Sequence, residues 1–435
     1  MRKLFIFLVL LSSLLMISCE TAGPVNPGLF SLPVQWVTTL QRTTDGEQGV
    51  FLEQTSDGGY VVLVEYTDTL NPSNERALGD NGVKLSKLDN IGEPQWTYEL
   101  PDKSDAYDEK GAFVIRNGYV KAETYLIGVN KIDKNDSSDI KLSYVNNSGN
   151  LIWETSLSGS GNDVICGALI LDQYKALVYG KTNSYDGSFD NRPLNYDDDG
   201  FIFVINNENG EISERHYYDS GRVDNSIKRV LYNPADPQKY FIIGEINDGK
   251  LNKLWMRKIA QLNATASYDH IFKADDAENY FFGGITETGL NSYVLGCEKN
   301  AGGENDLGFY GFNTTVENNA LVVSFSFEID HYSLETGSAA EQFIGFSPFS
   351  DGESVLIGTK HGSESSYRNT FLLLNRETGA IKQQEYRYKA GVVYEHLNGN
   401  PLSNTYGLTG SVTPAALESN IKRVAGGHDA WVESL

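Results

Sequence analysis

The groups best suited to hold a ligand are concentrated between Tyr185 and Asp199, in the run YDGSFDNRPLNYDDD. Asp186, Asp190, Asp197, Asp198 and Asp199, with Asn191 and Asn195, offer the carboxylate and amide oxygens that a hard cation such as calcium takes. Their spacing matches no EF-hand loop, so the competing reading is a solvated acidic loop. Asp275 and Asp276 invite the same two readings. Tyr185, Phe189 and Tyr196 supply aromatic faces with polar surroundings, suited to stacking on a sugar or peptide, and Tyr367 is a further one. Each of these rings could equally be an anchor packed inward. Tyr185, Asp186, Phe189, Asp190, Arg192 and Tyr196 are therefore the candidate ligand-binding residues, and Asp197, Asp198 and Asp199 the candidate metal ligands, with calcium the metal considered.

Patterns that would announce catalysis are lacking. The six histidines (His216, His270, His331, His361, His396, His428) show no zinc spacing such as H-E-x-x-H and read as surface or turn residues. No G-x-S-x-G elbow anchors a serine triad. Two acids meeting across a central funnel could hydrolyse glycosides, but 58 acidic residues single out no pair. The glycine pairs Gly58-Gly59, Gly283-Gly284 and Gly426-Gly427 read as turn and strand-start residues, not phosphate loops. Glycines in the turns at Asn147 to Gly149, Asn207 to Gly210 and Thr378-Gly379 serve a hairpin and do not mark a quinone site. No catalytic residue and no cofactor is assigned. Cys166 and Cys297 lie in apolar segments and read as free thiols.

The elements that must position these groups are strands. Tyr (25), Phe (20) and Gly (43) outnumber Met (3) and Pro (12), a balance that favours strands and tight turns. Seven apolar runs recur: YVVLVEY from Tyr60, YLIGVNK from Tyr125, ALVYGKT from Ala176, YFIIGEI from Tyr240, YVLGCEK from Tyr293, SVLIGTK from Ser354 and TYGLTGS from Thr405. A further strand precedes each run, such as GVFLEQT or DVICGALIL. After the run comes a polar loop, a third strand, a Gly/Asn turn and a fourth strand that often carries Trp (Trp96, Trp153). The period is about 57 residues. Four antiparallel strands repeated seven times describe an all-β, seven-bladed β-propeller. The fifth unit is blurred around Gly283 and Gly284, which leaves six or eight blades open, and two β-sandwiches are the other architecture considered.

The last unit is split. DAWVESL at the C-terminus lacks the fourth strand that VQWVTTL (Val34 to Leu40) can supply, so the ring is expected to close with a strand from each end, leaving no open sheet edge. EQGVFLEQTSDGGYVVLVEYT, GNLIWETSLSGSGND and GGHDAWVESL resemble the DGGY propeller repeats of secreted and lipid-anchored Bacteroidetes proteins, over nearly all of the mature chain. A more distant resemblance is to Trp-bearing quinoprotein-type repeats. The resemblance implies a fold and a compartment and carries no catalytic residues.

The N-terminus agrees with that compartment. Arg2 and Lys3, an apolar run and a small residue before Cys19 read as a lipoprotein signal peptide over 1–18, with Cys19 the lipidated first residue. Residues 19–32 then form a tether and 33–435 the propeller. Removing Arg2 and Lys3 takes the formal charge from −23 to about −25, which disfavours nucleic acid as a partner. The second-to-third-strand loops Thr67 to Asn81, Asn183 to Asp199 and Val412 to His428 are long, and recognition belongs on such loops. The expectation is an outer-membrane lipoprotein, held by the lipid on Cys19 and facing either side of that membrane. Its long-loop face would bind a protein or glycan without catalysis, with a carbohydrate-active enzyme of the funnel as the alternative.

Overall fold

The structure is a computed structural model and describes residues 28–29, 36–40, 46–67, 81–100, 107–133, 135, 137–190, 192, 197–218, 224–263, 268–273, 277–301, 304–317, 320–332, 341–361, 368–387, 392–400, 405–412 and 429–434. Two strands, β1 (Gly28–Leu29) and β2 (Trp36–Leu40), precede the repeats. Blade 1 is β3 (Gly46–Gln54), β4 (Tyr60–Thr67), β5 (Asn81–Leu88) and β6 (Pro94–Glu99). Blade 2 is β7 (Tyr107–Asn117), β8 (Thr124–Asp133), β9 (Ser138–Asn146) and β10 (Leu151–Leu157). Blade 3 is β11 (Asp163–Ile170), β12 (Lys175–Thr182), β13 (Asp199–Asn206) and β14 (Ile212–Tyr218). Blade 4 is β15 (Asp224–Tyr232), β16 (Tyr240–Asn247), β17 (Asn252–Ile259) and β18 (Tyr268–Ile271). Blade 5 is β19 (Asn279–Gly289), β20 (Ser292–Ala301), β21 (Glu304–Glu317) and β22 (Ala320–Tyr332). Blade 6 is β23 (Glu341–Pro348), β24 (Ser354–His361), β25 (Arg368–Asn375) and β26 (Ile381–Arg387). Blade 7 is β27 (Val392–Asn400), β28 (Thr405–Val412) and β29 (Asp429–Ser434), completed by β2.

The protein is a seven-bladed β-propeller, and the count is settled at seven. β2 pairs antiparallel with β29, Trp36 opposite Ser434 and Leu40 opposite Ala430, as the outermost strand of the closing blade. The blurred fifth unit is a full blade with the longest strands of the ring, 14 residues in β21 and 13 in β22.

Burial follows position in the blade. β4 is buried almost throughout because neighbouring blades cover both its faces, so it reads as a continuous apolar run. β6, at the outer edge, has no buried residue and alternates between exposed and half-buried. The repeated tryptophans join one blade to the next. Trp96 Nε1 donates to the Asn147 carbonyl at 2.9 Å and Trp153 Nε1 to the Asn207 carbonyl at 2.7 Å, each in the next blade's third-to-fourth turn. Gly149 (φ +78°) and Gly210 (φ +74°) end those turns, and a Cβ on either would lie 2.8 or 2.6 Å from the indole above it. Glycine is required there both for the positive φ and for the ring that covers it.

β1 lies inside the segment expected to be tether. It pairs parallel with the outer edge of blade 6, Gly28 opposite Gln383 and Leu29 opposite Gln384.

Candidate functional site

The described part of the third-blade loop is tied to its surroundings. The Asp186 carboxylate accepts from the Ser160 N–H at 2.7 Å, and Gly161 N–H donates to Ser184 Oγ at 2.8 Å, so the crossing from blade 2 docks on the loop. Phe189 is fully buried between Phe201 and Phe203, with ring centroids 5.3 and 5.2 Å away. Arg192 is also internal: its Nε donates to Asp199 at 2.6 Å, with both side chains fully buried, and its remaining donors reach the carbonyls of Ser184 and Asp197. Burial of that pair is tolerable because the guanidinium is fully supplied with acceptors. Asp198 pairs with Lys181 at 2.5 Å and Asp190 with Arg215 at 3.3 Å. Of the two candidate rings among the described residues, Tyr185 is turned outward, 54% exposed. Phe189 and Arg192 thus hold the loop to the core, and neither presents a face to solvent. Tyr196, Asn191 and Asn195 lie outside the described residues, as do Asp275, Asp276, Tyr367 and the bodies of the other two long loops. Asp197, Asp198 and Asp199 do not converge, and among the described residues no three His, Cys, Asp or Glu side chains group as a metal site.

A second concentration of charge surrounds the axis. Each innermost strand carries a β-bulge, which leaves one residue without a ladder partner: Val50, Ala112, Cys166, Lys228, Gly283, Ile344 and Glu395. A bulge turns consecutive side chains toward the same side and frees a backbone N–H. Four of the freed N–H groups are taken by the preceding blade's second strand. Glu65 accepts from Gly111, Asn130 from Ile165 and Glu245 from Phe282, each at 2.8 Å, and Glu298 accepts from Phe343 at 3.4 Å. At the junction of blades 6 and 7 the same position is Lys360, whose ammonium meets the bulged Glu395 at 2.5 Å.

The bulges enclose an axial cavity of about 580 Å³, lined from all seven innermost strands. Blade 4 contributes Lys228 and Arg229; blades 7 and 1 contribute His396, Asn398, Phe51 and Glu53. Lys228 pairs with Glu245 at 3.1 Å. Arg229 is exposed to the cavity and donates to the Tyr179 hydroxyl, and no carboxylate among the described residues pairs with it. Glu53 accepts from Asn398 Nδ2 at 2.9 Å. Burial pushes the Glu53 carboxyl up to about 7, against the opposing pull of Arg116, the Asn398 hydrogen bond and Arg229. His396 packs at a tilt against Phe51 with centroids 3.9 Å apart, and burial with the nearby Arg229 charge holds it down to about 3, so it is a neutral imidazole.

No protein-family model and no curated protein matches this sequence. Among solved structures the chain is similar to an apocarotenoid oxygenase of Synechocystis, at 12% identity and TM-score 0.39 over 81% of this chain and 95% of that one. It is also similar to a subtype N11 neuraminidase-like protein of a flat-faced bat isolate from Peru, at 11% and 0.39 over 94% and 95% of the two chains. A third likeness is to prolyl oligopeptidase B from Galerina marginata, at 11% and 0.45 over 87% of this chain and 47% of that one. At this level likeness indicates neither ligand nor reaction.

The axial residues went unnoticed in the sequence. His396 reads there as a surface or turn residue but lines the cavity, and Gly283-Gly284 read as turn and strand-start residues but sit mid-strand at a bulge. Phe343 and Phe346 of the next blade occupy the space a Cβ on those glycines would need, 2.1 and 2.4 Å away. The available signal was glycine or charge interrupting a strand pattern. Cys166 and Cys297 are free thiols, Cys297 buried in the core and Cys166 on the cavity wall.

Proposed function

We propose that this chain is an outer-membrane lipoprotein of the DGGY-repeat type, anchored through Cys19, whose propeller binds a protein or glycan partner without transforming it. The observation that carries binding over catalysis is the state of the carboxylates lining the axial cavity. Glu53 is held by Asn398, Glu395 by Lys360 and Glu287 by Asn233 at 2.8 Å, so among the described residues no pair of cavity acids stands without such a partner. The enzyme reading keeps one observation in its favour, the raised Glu53 carboxyl, which suits a general acid. A lone acid without its partner supplies half of that machinery.

The course of β1 supports the placement of the anchor. In an antiparallel blade the first-to-second and third-to-fourth turns share one face, and the long second-to-third loops share the other. β1 runs parallel to β26 and begins beside Gln383, two residues into that strand, next to the third-to-fourth turn. Cys19 precedes Gly28 by nine residues, a reach of about 30 Å at most. This course supports a chain that joins the ring from the short-turn face, with the long-loop face pointing away from the lipid. Cys19→Ala is expected to move the protein from the membrane to the soluble fraction, and the wild type to release no reducing ends from polysaccharides. Membrane retention of the variant would overturn the anchor, and turnover would overturn the binding role.

A further inference from the structure

We propose that the axial cavity binds a monosaccharide acid, with Arg229 taking its carboxylate and the Phe51–His396 pair facing the apolar side of its ring. The inference rests on reading the propeller as a binding protein and names what its axis holds.

Three features of the wall select this chemistry. The first is the guanidinium of Arg229, exposed in the cavity without a carboxylate partner among the described residues, while its neighbour Lys228 is already satisfied by Glu245. A planar fork of donors at a concave site matches a carboxylate in two hydrogen bonds. Its charge reaches across the cavity, since it acts on both Glu53 and His396. The second feature is aromatic surface: Phe51 packed at a tilt of 33° against His396, and Phe343 at 38° against Phe346 with centroids 5.0 Å apart. Both pairs can cover the C–H face of a sugar ring. The third is neutral or near-neutral hydrogen-bonding capacity between them, from Asn398, Ser347, Thr286 and the carboxyl of Glu53. His396 lines the cavity as a neutral ring, and its Nδ1 is itself covered by protein. A flat aromatic acid would satisfy the first two features and leave the third unused. A neutral sugar would leave the Arg229 charge without an anion.

The test is calorimetric titration of the mature, lipidated protein in detergent with galacturonate and, separately, galactose. Galacturonate is expected to bind about tenfold to a hundredfold more tightly, the range of a charge-assisted hydrogen-bonded pair. Arg229→Gln should bring the two sugars to equal affinity, whereas Arg229→Lys should keep part of the preference. If Arg229→Gln fails to fold, the wild type still decides: its preference should shrink as sodium chloride rises. Equal binding of both sugars, a preference that survives Arg229→Gln or is indifferent to salt, no binding of either sugar, or tighter binding of benzoate than of galacturonate would each overturn the proposal. None of these results touches the binding-propeller reading, which fails separately if galacturonate-containing polysaccharide is cleaved.

Discussion

In the third-blade loop Asp186, Asp190, Arg192, Asp198 and Asp199 are bonded to other parts of the protein, Asp186 and Asp190 while exposed to solvent, whereas around the axis Arg229 lines the cavity with no carboxylate partner among the described residues. In the loop, Arg192 is enclosed with Asp199, Asp198 meets Lys181 and Asp190 meets Arg215. Behind the axial wall, Glu65, Asn130, Glu245 and Glu298 likewise hold blade to blade, while Arg229 lines the cavity with no carboxylate partner among the described residues. Polar density in the sequence thus does not separate charges spent on structure from charges that face a cavity. The loop's charges stabilise a loop; the bulges, which the sequence hardly marks, aim side chains into shared space.

The comparison depends on an intact ring, and the severest way to break it is to remove Asp429 to Leu435. β29 is paired on both sides, with β28 and with β2, so its loss detaches the N-terminal strand as well. Cooperative thermal unfolding followed by circular dichroism should disappear. Next in size is Arg192→Ala, which removes the buried cation from Asp199 and is expected to cost about 3–5 kcal/mol in denaturant unfolding. An unchanged midpoint would mean that the loop is not the structural element described. Glu245→Gln should cost about 1–3 kcal/mol by weakening the charged acceptor for Phe282 N–H and leaving Lys228 unpaired.

A smaller effect sharpens the axial side. The Glu53 carboxyl is raised from its ordinary 4.5 to about 7 by burial, so the folded state holds a proton that the unfolded chain releases. Its contribution is fully present below about 4.5 and is lost as pH rises through 7, with the slope of stability against pH negative over that window. Glu53→Gln should flatten that slope, read from denaturant midpoints at pH 5, 6, 7 and 8; an unaltered slope would show that Glu53 is not desolvated. Smallest of all is Tyr185→Ala, expected to shift stability by no more than about 0.5 kcal/mol because the ring is turned outward.

Much of the architecture was legible because it is periodic. The apolar second strands, the turn glycines and the tryptophans each answer to a local rule, and the match of VQWVTTL to DAWVESL follows from counting strands in the last unit. What was illegible depends on partners distant in the chain. The bulge at Lys228 exists only relative to Gly244 and Ile243 on β16, and nothing in SIKRVLY marks it. Arg192 could not be told from a surface arginine until Asp199 was seen to enclose it. His396, in a strand that alternates like any other, gains its meaning from Phe51 at the other end of the chain.

The most direct measurement of whether recognition belongs to the axis and not to the loop is a crystal structure of the mature protein soaked with galacturonate. The expected result is a sugar within the axial cavity, its carboxylate on the Arg229 guanidinium and its ring against Phe51 and His396. A sugar bound beside Tyr185 on the third-blade loop, with the axial cavity holding none, would contradict the account.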